Sequence, residues 1–118
     1  MLMTVRDRKR GEVLDVKPVR SPDAVLERRG DGGALVKVPI TGRWPFRMPK
    51  GATKSFELDE MGLFVWDSCD GRATLLDVIT KFARHYRISV REAEVATTKF
   101  VQMLAARRLI RIGGEDKP

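Results

Sequence analysis

The chain has 118 residues and a formal net charge of +7, with 23 Lys and Arg against 16 Asp and Glu. That length suits one domain and lets folding bury roughly two-thirds of the surface the unfolded chain exposes, so a core needs no staples. A hydrophobic share of 42% excludes a disordered chain, and the single cysteine, Cys69, excludes an intrachain disulfide.

Residues 1–10 lack an apolar stretch of the signal-peptide kind, and no apolar run nears the ~20 residues of a membrane span. With one cysteine, a reducing compartment follows, so the expected location is cytoplasmic. Residues 1–50 hold 12 basic and 6 acidic groups, and residues 51–118 hold 11 and 10. The excess sits in the front half, where an acidic partner or plain solubility accounts for it.

Residues 1–22 read as a flexible N-terminal arm, charged and broken by Pro18 and Pro22, with a short extended piece at 13–16. A first strand fits 24–29. Gly30-Asp31-Gly32-Gly33 then supplies residues that take positive φ and signals a hairpin turn. The second strand fits 35–40, with Val36, Val38 and Ile40 on one face; Pro39 cannot donate to a ladder and belongs near an end or edge. Two prolines exclude regular structure from the loop 41–52. Its Trp44 and Phe46 lie among basic residues, either as a partner patch or folded back onto the sheet. A third strand fits 53–58, where Phe56 and Leu58 alternate with Ser55 and Glu57.

Three helices follow. Asp59 caps the first, which carries Leu63, Phe64, Val65 and Trp66 and stops at Asp70-Gly71. Thr74 and Asp77 form a capping box for the second, with Leu75, Val78, Ile79, Phe82 and Tyr86 at helical spacing. Ser89 and Glu92 box the third, with Ile88 placed to staple against Ala93. On a helical wheel its Ala96, Phe100 and Leu104 point inward, Thr97 and Val101 flank one side, and Met103 flanks the other. Residues 109–112 make a short apolar tail before a polar C-terminal stretch at 113–118. The fold class expected is α+β: a three-stranded antiparallel β-meander followed by a winged-helix-like three-helix bundle, spanning 23–112.

No set of side chains converges on chemistry. Cys69 has no second metal ligand near it, and His85 stands alone. Asp59/Glu60 and Glu92/Glu94 read as charges complementing helix N-termini, and no glycine pattern matches a phosphate loop. Neither an enzyme, a metal site nor a cofactor is expected.

The residues Phe56-Glu-Leu-Asp-Glu60, Phe64-Val-Trp66 and Cys69-Asp70-Gly71 form a spaced pattern. It continues through Thr74, Val78-Ile79, Phe100-Val-Gln-Met-Leu104 and Arg108-Leu109-Ile110. This pattern is similar to the PqqD family, small proteins of pyrroloquinoline-quinone (PQQ) synthesis and related peptide-modifying pathways. The resemblance implies a recognition element for ribosomally made, modified peptides. Such a chaperone holds the leader of a precursor peptide and presents it to a modifying enzyme, often a radical S-adenosylmethionine (radical SAM) enzyme. The leader is held as an added strand, antiparallel to the third strand, beside the third helix. Carried onto this sequence, the peptide-binding residues are Thr53, Lys54, Ser55, Phe56, Glu57 and Leu58, with Thr97, Val101 and Met103 on the helix shoulder.

An exposed strand edge can also pair with a copy of itself, so a homodimer stays open. The competing reading is a winged-helix DNA-binding protein, since the chain is basic and has three short helices. Too little chain follows the third helix to build a conventional wing, and that helix mixes Arg91, Lys99, Arg107 and Arg108 with Glu92 and Glu94. Nucleic acid is therefore disfavoured as a partner, and no membrane partner is expected.

Overall fold

The structure, a computed structural model, describes residues 13–39 and 51–112. The strands are β1 (Pro18–Arg20), β2 (Val25–Arg28), β3 (Ala34–Pro39), β4 (Thr53–Leu58) and β5 (Ile110–Ile112). Helices α1 (Glu60–Ser68), α2 (Leu75–Tyr86) and α3 (Val90–Ala106) lie between β4 and β5. An antiparallel sheet β2-β3-β4 followed by three helices is the expected α+β architecture. The expected third strand matches β4 end to end.

Local chemistry sets the boundaries. The Asp59 side chain accepts from the Gly62 amide at 2.7 Å and opens α1. Thr74 with Asp77, and Ser89 with Glu92, close reciprocal capping boxes at the starts of α2 and α3. The turn between β2 and β3 has Arg29 N–H donating to the Gly33 carbonyl at 2.9 Å and Gly32 at φ +92. A side chain at Gly33 is excluded, because its Cβ would stand 2.7 Å from the Leu58 carbonyl oxygen.

The core lies among the helices and under one face of the sheet. Phe82, Ile79, Leu104 and Leu109 are fully buried, and Ala34 and Val36 of β3 join them. Phe64, Phe82, Tyr86 and Phe100 form an aromatic cluster between helices, with Phe64 and Phe82 edge to face at 5.9 Å.

A second, two-stranded sheet was not expected. The arm expected over 1–22 does not run to residue 22, because Pro18–Arg20 pair antiparallel with Ile110–Ile112, the stretch read as a plain tail. The opposite side of β1 engages the loop after α1. Arg20 N–H donates to the Cys69 carbonyl at 2.9 Å, and Gly71 N–H donates to the Pro18 carbonyl at 3.0 Å. Further upstream, Val13 and Leu14 are helical rather than extended, and they pack on the core. The physical reason is burial: Pro18 lies in the interior, and the indole of Trp66 donates to the Leu109 carbonyl at 3.0 Å, drawing both chain segments over α1. The expected 41–52 loop, with Trp44 and Phe46, falls mostly outside the described residues, as does the stretch 113–118.

Cys69 sits at this junction with its Sγ 3.2 Å from the Val65 carbonyl, and burial pushes its thiol up from 9.0 to about 12. A raised folded-state value means that the protonated thiol supports the fold below pH 9.0, and that this support is lost as pH climbs toward about 12. Melting temperatures of the wild type and Cys69→Ala, compared across that range, should converge or cross as pH rises, and Cys69 should resist thiol reagents in the native protein at neutral pH. Rapid labelling of the folded protein would contradict this.

Candidate functional site

Strand β4 borders the sheet, paired with β3 on one side, and among the described residues no strand lies on its other side. In an antiparallel ladder successive residues turn their N–H and C=O to opposite edges. The Arg29–Gly33 bond makes Gly33 a hydrogen-bonded position towards β2, so Leu35 and Lys37 also face β2 while Ala34, Val36 and Val38 face β4. Their partners are Leu58, Phe56 and Lys54. The Leu58 carbonyl, close to Gly33, confirms this sense. Thr53, Ser55 and Glu57 therefore turn their peptide groups outward, away from the sheet.

The side chains alternate as well. Those of Thr53, Ser55 and Glu57 are exposed, and Glu57 pairs with Arg29 at 3.1 Å on the outer face. Phe56 is half-buried and Leu58 is buried on the inner face. The Arg107 guanidinium, at the C-terminus of α3, lies 5.2 Å from the centre of the Phe56 ring, and the Lys54 ammonium lies 5.5 Å from it. These contacts place the end of α3 beside the inner face of β4.

An open trough of about 640 Å³ runs along α3, lined among the described residues by Arg91, Glu92, Val95, Ala96, Lys99, Phe100 and Met103. Its floor is apolar. Phe100 is supported from beneath by Phe82, at 6.5 Å between ring centres, and by Gly62 of α1. A Cβ on Gly62 would stand 3.4 Å from the Phe100 ring and 3.2 Å from the Asp59 carboxylate, so any larger residue there crowds both. Neither Phe100 nor Gly62 was among the sequence-derived site residues.

Two of those residues lie in the core. Thr97 is fully buried and Val101 is 6% exposed, so both belong to the core stripe Ala93–Thr97–Val101–Leu104 rather than to the shoulder. Met103 lines the trough. Helix α3 carries two apolar stripes offset by one position, and either can serve as the core. The polar Thr97 makes the wrong stripe look like the buried one, while Ala96 and Phe100 in fact line the trough. The Thr97 hydroxyl is buried without a hydrogen-bond partner.

Other chemistry-bearing groups stay apart. Among the described residues no three His, Cys, Asp or Glu side chains could hold a metal ion. His85 is exposed and stacks on Phe64 at 4.5 Å. The Asp70 carboxylate accepts from the Ala73 and Arg72 amides, both at 2.9 Å, and these bonds hold it below the usual carboxylate value. Its role is to shape the turn before α2. No described helix is long and apolar enough to cross a membrane.

The rotated helix face is open to test by charge insertion. Val101→Asp places a carboxylate in the interior and should cost several kcal/mol, whereas Met103→Asp at the trough should shift stability by less than about 1 kcal/mol. Urea denaturation of both variants decides it. Equal losses would return Met103 to the core.

A family model described as Coenzyme PQQ synthesis protein D (PqqD) matches residues 46–110, a span that takes in β4, all three helices and the start of β5. No curated protein and no solved structure matches the chain.

Proposed function

The chain belongs to the PqqD family, and we propose that it is a non-catalytic peptide chaperone that captures a precursor leader on the outer edge of β4. Membership implies binding of a precursor peptide in PQQ biosynthesis or a related pathway, with a biosynthetic enzyme as the further partner. The finer reading is strand addition. An extended leader completes the outward peptide groups of Thr53, Ser55 and Glu57, lays its side chains toward the α3 trough and is handed to a modifying enzyme of the radical SAM class. The single observation that carries this reading is the outward row of peptide groups on β4, whose inner face meets the end of the helix that carries an apolar trough.

The energetics favour a two-part grip. Each main-chain bond contributes ~1 kcal/mol net, while micromolar binding needs roughly 8 kcal/mol. Three outward residues offer at most six such bonds before ordering costs, so the apolar trough must supply the remainder and the sequence preference. The peptide-binding set is accordingly Thr53, Lys54, Ser55, Phe56, Glu57 and Leu58 with Phe100 and Met103, and without Thr97 and Val101. The DNA-binding alternative gains no support: α3 turns an apolar trough outward, and its Arg91 and Lys99 flank that trough instead of forming a continuous basic face.

Proline separates the edge from the ladder. Ser55→Pro and Glu57→Pro each delete an outward N–H, whereas Phe56→Pro deletes one that bonds β3. Each outward variant should keep its fold and weaken capture of peptides from a displayed library of random linear sequences about fivefold or more, the worth of one bond. Phe56→Pro should instead lower the melting temperature. Undiminished capture by both outward variants would remove strand addition.

A further inference from the structure

The β4–α3 cleft also carries a charge pattern that bears on which peptides it accepts. Along β4 from Lys54 to Leu58 and on into α1, the facing positions of α3 run backwards. Arg107 lies over Phe56, and Phe100 lies against Gly62. The β4 end of the cleft is therefore basic, with Arg107 and Lys54 over the Phe56 ring, and Lys99 stands about two turns further along α3, on the trough wall. The far end holds Asp59, Glu60, Arg91 and Glu92.

These charges differ in how they are engaged. Among the described residues no carboxylate pairs with Arg107, Lys99 or Arg91, whereas the cations on the sheet are matched: Arg28 to Asp67, Arg29 to Glu57 and Lys37 to Glu27. Two of the carboxylates at the far end are bonded to helix starts. Asp59 accepts from the Gly62 amide, and Glu92 accepts from the amide and hydroxyl of Ser89. Helix N-termini offset those negative charges, so the α3 cations set the electrostatic demand of the cleft. Between them lies an apolar floor of Ala96, Phe100 and Met103.

From this complementarity we infer that the cleft selects an acidic, amphipathic leader segment. One bulky aliphatic or aromatic side chain rests on the Phe100–Met103 floor, and Asp or Glu beside it reaches Lys99 and Arg107. The inference rests on the peptide-capture reading and adds the chemical class of the peptide. Lysine- or arginine-rich segments are rejected by like charge against the same cations.

The test is a displayed library of random linear peptides panned on the purified full chain, with sequencing of the captured pools. The wild-type pool should be enriched in Asp and Glu near a Leu, Ile or Phe, by roughly two- to fivefold for each exposed ion pair formed. Raised salt should erode the enrichment. Lys99→Glu, and the milder Arg107→Gln, should abolish or reverse it while leaving the melting temperature near wild type. A pool that depends on the Ser55 N–H but shows no acidic preference would overturn the charge rule and leave strand addition standing. A pool captured equally well by Ser55→Pro would overturn both.

Discussion

One hydrogen bond in a three-residue turn fixes what this protein offers to a partner. Arg29 N–H to the Gly33 carbonyl decides which peptide groups of β3 face β2, hence which face β4, hence which residues of β4 face outward. Because side chains and peptide groups both alternate along a strand, that choice is tied to the packing. Phe56 and Leu58 turn inward and bond to β3, so Ser55 and Glu57 carry both the exposed side chains and the outward peptide groups. A one-residue slip would bury Glu57 and expose Leu58. The tight approach of Gly33 to the Leu58 carbonyl holds the register at the end of the ladder nearest the helices.

The helical half is closed by segments from both ends of the described chain. β1 lies between β5 and the Cys69–Gly71 loop, with Trp66 bonded to the Leu109 carbonyl and the Arg20 guanidinium over its indole at 5.6 Å. This clasp covers α1 and leaves the outer stripe of α3 without a partner among the described residues. A helix with an apolar arc wider than the face that packs on it keeps a surplus, and here the surplus is the trough along α3. Phe100 joins the two halves: its ring touches the core through Phe82 and lies at the trough surface.

Much of this was legible in the sequence. The glycine-rich turn, the alternation across Thr53–Leu58 and the three helix caps depend on residues within a few positions of one another, and each is where the pattern placed it. The clasp was not legible, because the pairing of Pro18–Arg20 with Ile110–Ile112 joins two three-residue strands with no alternation long enough to read. The phase of α3 failed for a different reason. Ala96–Phe100–Met103 and Ala93–Thr97–Val101 are both apolar enough to be a core stripe, and only the position of Gly62, which makes room for the Phe100 ring, breaks the tie. A glycine inside a helix that otherwise carries large side chains was the signal that could have placed Phe100 at an interface between helices.

The proposed capture of a peptide depends on one strand. If β4 holds its register with an open outer edge, amide hydrogen exchange followed residue by residue in the unliganded protein should alternate along it. Lys54, Phe56 and Leu58, bonded to β3, should exchange slowly, and Thr53, Ser55 and Glu57 should exchange close to the rate of an unprotected amide. Equal, strong protection at Ser55 and Glu57 would show that the protein already covers this edge, and the account of peptide capture by strand addition would fail.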